Sequence, residues 1–179
     1  MDSSENSYII RPCTYQDLYN VIEINEVALP ENYPFYFFEQ IYEKYPESFL
    51  VAELTAKPKF RKKNLLIGYI MWRVERGIST FGVQLVKKGH LVSIAVLESF
   101  RHQGVASALL KQSIMRVKAY DVDEFVLEVR VSNESAVALY EKKFMFEKAR
   151  VIEQYYRDGE SAYYMALPRN KLDQLTNGV

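Results

Sequence analysis

The chain has 179 residues, 23 basic and 23 acidic side chains for a net charge of zero, and 49% apolar content. Such a length and balance suit one soluble domain with a substantial core, predicted to span residues 1–179 with its structured part at about 8–168 between short polar tails. Neutrality removes the field that would draw a protein to nucleic acid or an anionic membrane. One cysteine, Cys13, excludes an intrachain disulfide framework and a CxxC site, and two histidines without clustered ligands leave no metal expected. The polar, acidic start and the lack of a long apolar run predict a cytoplasmic protein without a signal peptide or membrane span.

Tyr8 to Arg11 predicts a first strand, and Thr14 with Asp17 three residues later has the pattern of a capping box. Leu18, Val21, Ile22 and Leu29 then mark one helical face, ended by Pro30. Phe35, Phe38, Ile41 and Tyr42 mark a second helix that stops near Pro46. Ser48–Leu54 and Leu65–Glu75 predict two strands around a strongly basic tip at 57–63, read as a solvated turn with an RNA or ribosome contact as the minority reading. Strands at His90–Leu97 and Glu124–Val131 flank a helix from Gly104 to Tyr120, spacing that suits a β-α-β crossover between parallel strands. Asn133 is placed to cap the next helix. Met145–Tyr155 and Ala162–Leu167 then close a hairpin whose turn signal is Asp158-Gly159.

The most informative stretch is Arg101, His102, Gln103, Gly104, Val105, Ala106 and Ser107, which joins the apolar strand ending in Ile94, Ala95 and Val96 to the following helix. A helix start leaves about four N–H groups without intrahelical partners, and its dipole favours an anion there. Gly104 lets the backbone approach such an anion without a Cβ in the way. Strand, basic glycine turn and helix together form a cradle for a pyrophosphate. By strand parity, Val126, Glu128 and Arg130 share one face while Leu127, Val129 and Val131 take the other. A carboxylate at Glu128 must therefore pair with a cation, Arg130 or His90 being the candidates, or face a wet cavity.

The glycine turn, followed by Leu127 to Asn133 and Ala136 to Phe144, resembles the Gcn5-related N-acetyltransferase superfamily (GNAT). Leu29-Pro30-Glu31-Asn32-Tyr33, Lys88 to Val96 and Tyr155 to Tyr163 narrow the resemblance to archaeal protein N-terminal α-acetyltransferases, similar to the catalytic subunit of the eukaryotic NatA complex and to RimI-type enzymes. The implied fold is α/β (α+β): a mixed, mostly antiparallel seven-stranded sheet, with its fourth and fifth strands parallel and splayed and helices on both faces. The implied activity is acetyl transfer from acetyl-CoA to the α-amine of protein N-termini by direct attack in a ternary complex. A lysine or small-amine acetyltransferase and a non-catalytic acyl-CoA-binding module are the alternatives.

The resemblance assigns residues 101–107, the backbone of Ile94, Ala95 and Val96, and Asn133 and Tyr140 to acetyl-CoA. Glu128 and His90 would hold a catalytic water and act as base, and Tyr140 would protonate the leaving thiolate or hydrogen-bond its sulfur. Packing inside the helix is the competing reading of Tyr140, and helix capping that of Asn133. Glu31, Tyr33 and Tyr156 would receive the peptide, the two tyrosines being read as exposed loop aromatics without a packing reason. Implied partners are the N-termini of nascent or mature proteins, met near the ribosome, with an auxiliary subunit not required.

Overall fold

The computed structural model describes residues 7–55 and 65–176, with side chains through Leu172. The basic tip at 57–63 lies outside the described residues. In chain order the elements are β1 (Tyr8–Pro12), α1 (Leu18–Ala28), α2 (Phe35–Lys44), β2 (Leu50–Leu54), β3 (Leu66–Ile78), β4 (Leu85–Val96), α3 (Val105–Val117), β5 (Glu124–Arg130), α4 (Glu134–Ala138), β6 (Glu147–Ile152), β7 (Ala162–Pro168) and α5 (Arg169–Thr176). The seven strands run β1-β2-β3-β4-β5-β7-β6. β4 and β5 are parallel, whereas β1–β2, β2–β3, β5–β7 and β6–β7 are antiparallel.

The described residues fall into two compact units: those up to Arg73 with Val92–Val117, and Val74–Leu91 with those from Lys118 onward. In the first, β3 is buried on both faces from Leu66 to Trp72, as a strand covered on either side must be. Tyr69 and Met71 pack with Leu18, Val21, Phe38 and Phe49 beneath α1 and α2. On the opposite face Trp72 Nε1 donates to Ser113 Oγ of α3 at 2.9 Å. A Cβ on Gly68 would sit 2.8 Å from the Ala95 carbonyl and 3.4 Å from Leu109, so only glycine permits this close approach of β3 to the end of β4. Asn25, wholly buried in α1, donates from Nδ2 to the Glu31 carbonyl at 3.2 Å and to Tyr69 Oη at 2.9 Å. Tyr69 Oη in turn lies 2.7 Å from Ser93 Oγ.

In the second unit, β5 pairs with β7 along its whole length, from Glu124↔Pro168 to Arg130↔Ala162. Its pairing with β4 ends early, at His90↔Val126. Lys88 Nζ meets the Glu124 carboxylate at 2.9 Å. That carboxylate also accepts from the Thr80 N–H at 3.0 Å, the Thr80 hydroxyl at 2.9 Å and the Ser79 hydroxyl at 3.2 Å.

Three features depart from the sequence expectation. β4 starts at Leu85 rather than His90, because the Lys87 N–H donates to Asp123 and Lys88 pairs with Glu124. The residues after Pro168, expected as a polar tail, form α5, whose Arg169 N–H donates to the Asp123 carbonyl at 2.9 Å. The second half of the helix after Asn133 widens to a π-turn over Leu139–Lys143, a local form common at functional sites. No described helix is long and apolar enough to cross a membrane.

Candidate active site

Residues 101–104 are an exposed turn between β4 and α3. His102 and Gly104 both take left-handed backbone conformations, with φ of 61° and 81°. The first is unusual for a side-chain-bearing residue and the second favours glycine. Arg101 Nε donates to the Val96 carbonyl at 3.1 Å, tying the turn to the end of β4. The first bond into the helix runs from the Ala108 N–H to the Gly104 carbonyl at 2.9 Å. The N–H groups of Val105, Ala106 and Ser107 precede it and have no intrahelical acceptor. Gly104 does not need its missing Cβ for space, since the nearest atom, Tyr8 Oη, would be 3.8 Å away. It needs it for φ.

In the second unit, register brings three side chains together. His90 is opposite Val126 in the parallel ladder, so Glu128, two residues further along β5, shares its face. His90 Nε2 lies 2.6 Å from Glu128 Oε2. His90 Nδ1 lies 3.0 Å from Oε1 of Glu75 on β3. The parity assigned to Glu128 agrees with this placement. Of its two candidate cations it meets His90, directly, while Arg130 turns to Asp158 and Glu160 at 2.7 Å each. Side-chain exposure is 11% for His90, 13% for Glu128 and 36% for Glu75. Glu128 Oε1 accepts no hydrogen bond among the described residues.

Glu75 escaped the sequence reading. It sits in a mixed polar stretch at the end of a predicted strand, and only the pairing of β3 beside β4 brings it to His90.

Tyr140 lies in the π-turn, buried, with its ring edge-on to Phe146 at 6.0 Å between centroids. Burial raises its phenol well above the ordinary value, so the group stays protonated. Asn133 caps α4, its Oδ1 accepting from the Ala136 N–H at 3.2 Å.

The two loop tyrosines correct the expectation of bare exposure. Tyr33 is half-buried, stacked on Phe37 at 4.6 Å and edge-on to Phe38 at 6.1 Å. Tyr156 is half-buried under the Arg130 guanidinium, 4.0 Å from its ring centre, and edge-on to Tyr155. Aromatic area in a turn still finds apolar or cationic partners. The carbonyl of Glu31 is held by Asn25. The 156–160 turn closes through the Tyr156 N–H to the Glu160 carbonyl at 3.0 Å, with Gly159 at φ 85°.

The family model described as acetyltransferase (GNAT) matches residues 18–146. An N-alpha-acetyltransferase of Sulfolobus acidocaldarius is 46% identical over 165 residues, covering 90% of this chain and 93% of that protein. An N-terminal acetyltransferase complex ARD1 subunit homolog of Dictyostelium discoideum is 33% identical, covering 88% and 71%. Among solved structures, Ard1 from Thermoplasma volcanium superposes with a TM-score of 0.73 at 26% identity, covering 90% of this chain and 97% of that one. With a strand–glycine turn–helix cradle, a seven-stranded sheet parallel at β4–β5 and these relatives, the chain belongs to the GNAT acetyltransferase family, whose cosubstrate is acetyl-CoA.

Proposed function

We propose that the chain transfers acetyl from acetyl-CoA to the α-amino group of protein N-termini, by direct attack of the amine within a ternary complex. The observation that carries this reading is the His90–Glu128 pair, a buried base with one carboxylate oxygen left open, on the strands that adjoin the parallel ladder. Relatives named N-alpha-acetyltransferase over nearly the full chain support the choice of amine.

The residues fit the cosubstrate. Two left-handed residues in the 101–104 turn and the open N–H groups at the start of α3 suit a pyrophosphate. In this role Arg101 and His102 add positive charge, and the backbone of Ile94, Ala95 and Val96 receives the pantetheine arm. Acetyl-CoA supplies an activated acyl group as a thioester.

An α-ammonium titrates near ~8, so about a tenth is already neutral at pH 7, and a base of modest strength completes its deprotonation. Glu128 and His90 take that proton. Tyr140 gives one to the departing sulfur and takes in exchange the second proton that the nitrogen sheds as the amide forms. Cys13 is buried and its thiol is pushed up by desolvation, which argues against a covalent acetyl-enzyme on that residue. Tyr33 with Glu31 in one unit, and Tyr156 in the other, are each given to the first residues of the peptide, roles that favour a free chain end over a lysine on a folded surface.

The test is mass spectrometry of a peptide panel with Ser, Ala, Thr, Gly and Met starts, plus an α-blocked peptide offering an internal lysine. Acetylation at free α-amines, with the blocked peptide unmodified, is the expected result. Modification of the lysine alone contradicts the gate assigned to Tyr33 and Tyr156.

A further inference from the structure

We propose that Glu75 is a positioning residue for the base, holding the His90 imidazole through Nδ1 and stabilising its protonated form. This rests on the acetyltransferase reading above and adds a residue to it. The placement comes from three strands. β4 presents His90, β5 presents Glu128 to Nε2 at 2.6 Å, and β3 presents Glu75 to Nδ1 at 3.0 Å. An ionised carboxylate only accepts hydrogen bonds, and a neutral imidazole has one donor nitrogen. A neutral ring donating from Nδ1 to Glu75 therefore turns its Nε2 lone pair toward Glu128, so the 2.6 Å contact is the place where an incoming proton is held.

The reaction supplies that proton. As the substrate ammonium loses a proton, its N–H bond breaks and the electron pair stays on nitrogen. The proton passes to the Glu128–His90 pair and leaves an imidazolium between two carboxylates. The neutral amine then forms the N–C bond as the C–S bond breaks, the sulfur taking the Tyr140 proton and the second proton shed by the nitrogen restoring Tyr140. The held proton returns to water after turnover, and Glu75, with 36% side-chain exposure, is the most open of the three groups. A carboxylate on the far nitrogen of a catalytic histidine fixes its tautomer and compensates its charge. Other ionisable groups at these positions are Lys88, two residues before His90 and paired with Glu124; Arg130, two residues after Glu128 and turned to Asp158 and Glu160; Arg73, two residues before Glu75 on β3; and Tyr164, opposite Glu128 on β7 with Arg150 over its ring. None of these takes Nδ1.

The experiment compares Glu75→Gln and Glu75→Asp with the unmodified chain on an α-amine peptide, together with imidazole nitrogen NMR. Two histidines make the spectrum tractable, the His90 signals being assigned by their loss in His90→Gln. Glu75→Gln is expected to lower kcat about tenfold or more, with the KM for acetyl-CoA unchanged. Removing the anion should also move the acid limb of kcat to lower pH, by about one unit, and Glu75→Asp should restore part of the rate. The NMR should show His90 protonated at Nδ1 in the unmodified chain and less so in Glu75→Gln. An unchanged acid limb and unchanged ring protonation in Glu75→Gln overturn the proposal, even if kcat falls. If the unmodified chain acetylates no α-amine, the functional reading fails instead, and the NMR arm still decides whether Glu75 holds Nδ1.

Discussion

Lys88 and His90 are neighbours on one face of β4, and each bonds a glutamate from β5, yet the two clusters differ in what is left over. Around Glu124 the acceptor positions are filled: Lys88, the Thr80 N–H and hydroxyl, and the Ser79 hydroxyl all donate to it. Burial opposes ionisation of Glu124, but those donors hold its carboxyl below the ordinary value, and Glu124 raises Lys88 in return against the same opposition. Around Glu128, His90 alone among the described residues comes within bonding distance, at Oε2, and Oε1 accepts no bond from them. A satisfied buried pair is a fastener; an open one is suited to accept a proton from a guest. The two lie two residues apart on β4 and four apart on β5, and the contrast comes from Ser79 and Thr80 reaching one and not the other.

Four substitutions sharpen or break that contrast. The largest expected effect is on stability: Lys88→Ala leaves a buried carboxylate without its cation and should cost about 3–5 kcal/mol of unfolding free energy, read by urea denaturation. Glu128→Gln should leave unfolding nearly unchanged while kcat drops about 100-fold or more. Tyr140→Phe should lower kcat about tenfold without loss of stability, since the hydroxyl has no bond partner among the described residues. Arg130→Ala removes the stack on Tyr156 and the bonds to Asp158 and Glu160. It should raise the peptide KM about five- to tenfold, the equivalent of roughly 1 kcal/mol, and leave the KM for acetyl-CoA in place.

The pH dependence of stability follows the fastener. A depressed glutamate contributes stability above its unfolded value, near ~4.3, and loses it as pH falls through the lower folded value. A raised lysine contributes below ~10.4 and loses it as pH rises through the higher folded value. The Lys88–Glu124 contribution is therefore complete between those unfolded values. In Glu124→Gln, thermal unfolding followed against pH should show a weaker decline on the acid side.

Much of the sheet was legible because its strands are short apolar runs bounded by turn signals, and Glu128 stood out as a carboxylate in the middle of an apolar strand. The Asn133 cap and the Asp158-Gly159 turn were legible for the same local reasons. Glu75 was not, since a partner on the neighbouring strand depends on register, which the residues of one strand do not encode. Asn25 was hidden inside an apolar helical face, its use set by Tyr69 and the Glu31 carbonyl. α5 lacked a strong apolar stripe and owes its place to Arg169 beside Asp121 and Asp123. Tyr33 and Tyr156 were misread as bare because turn residues reveal nothing about the cation or ring that folds over them.

The most direct test is the steady-state rate of Glu128→Gln on an α-amine peptide, beside its unfolding midpoint. A loss of about 100-fold in kcat with the midpoint held identifies Glu128 as part of the base. Full turnover in a folded variant contradicts it.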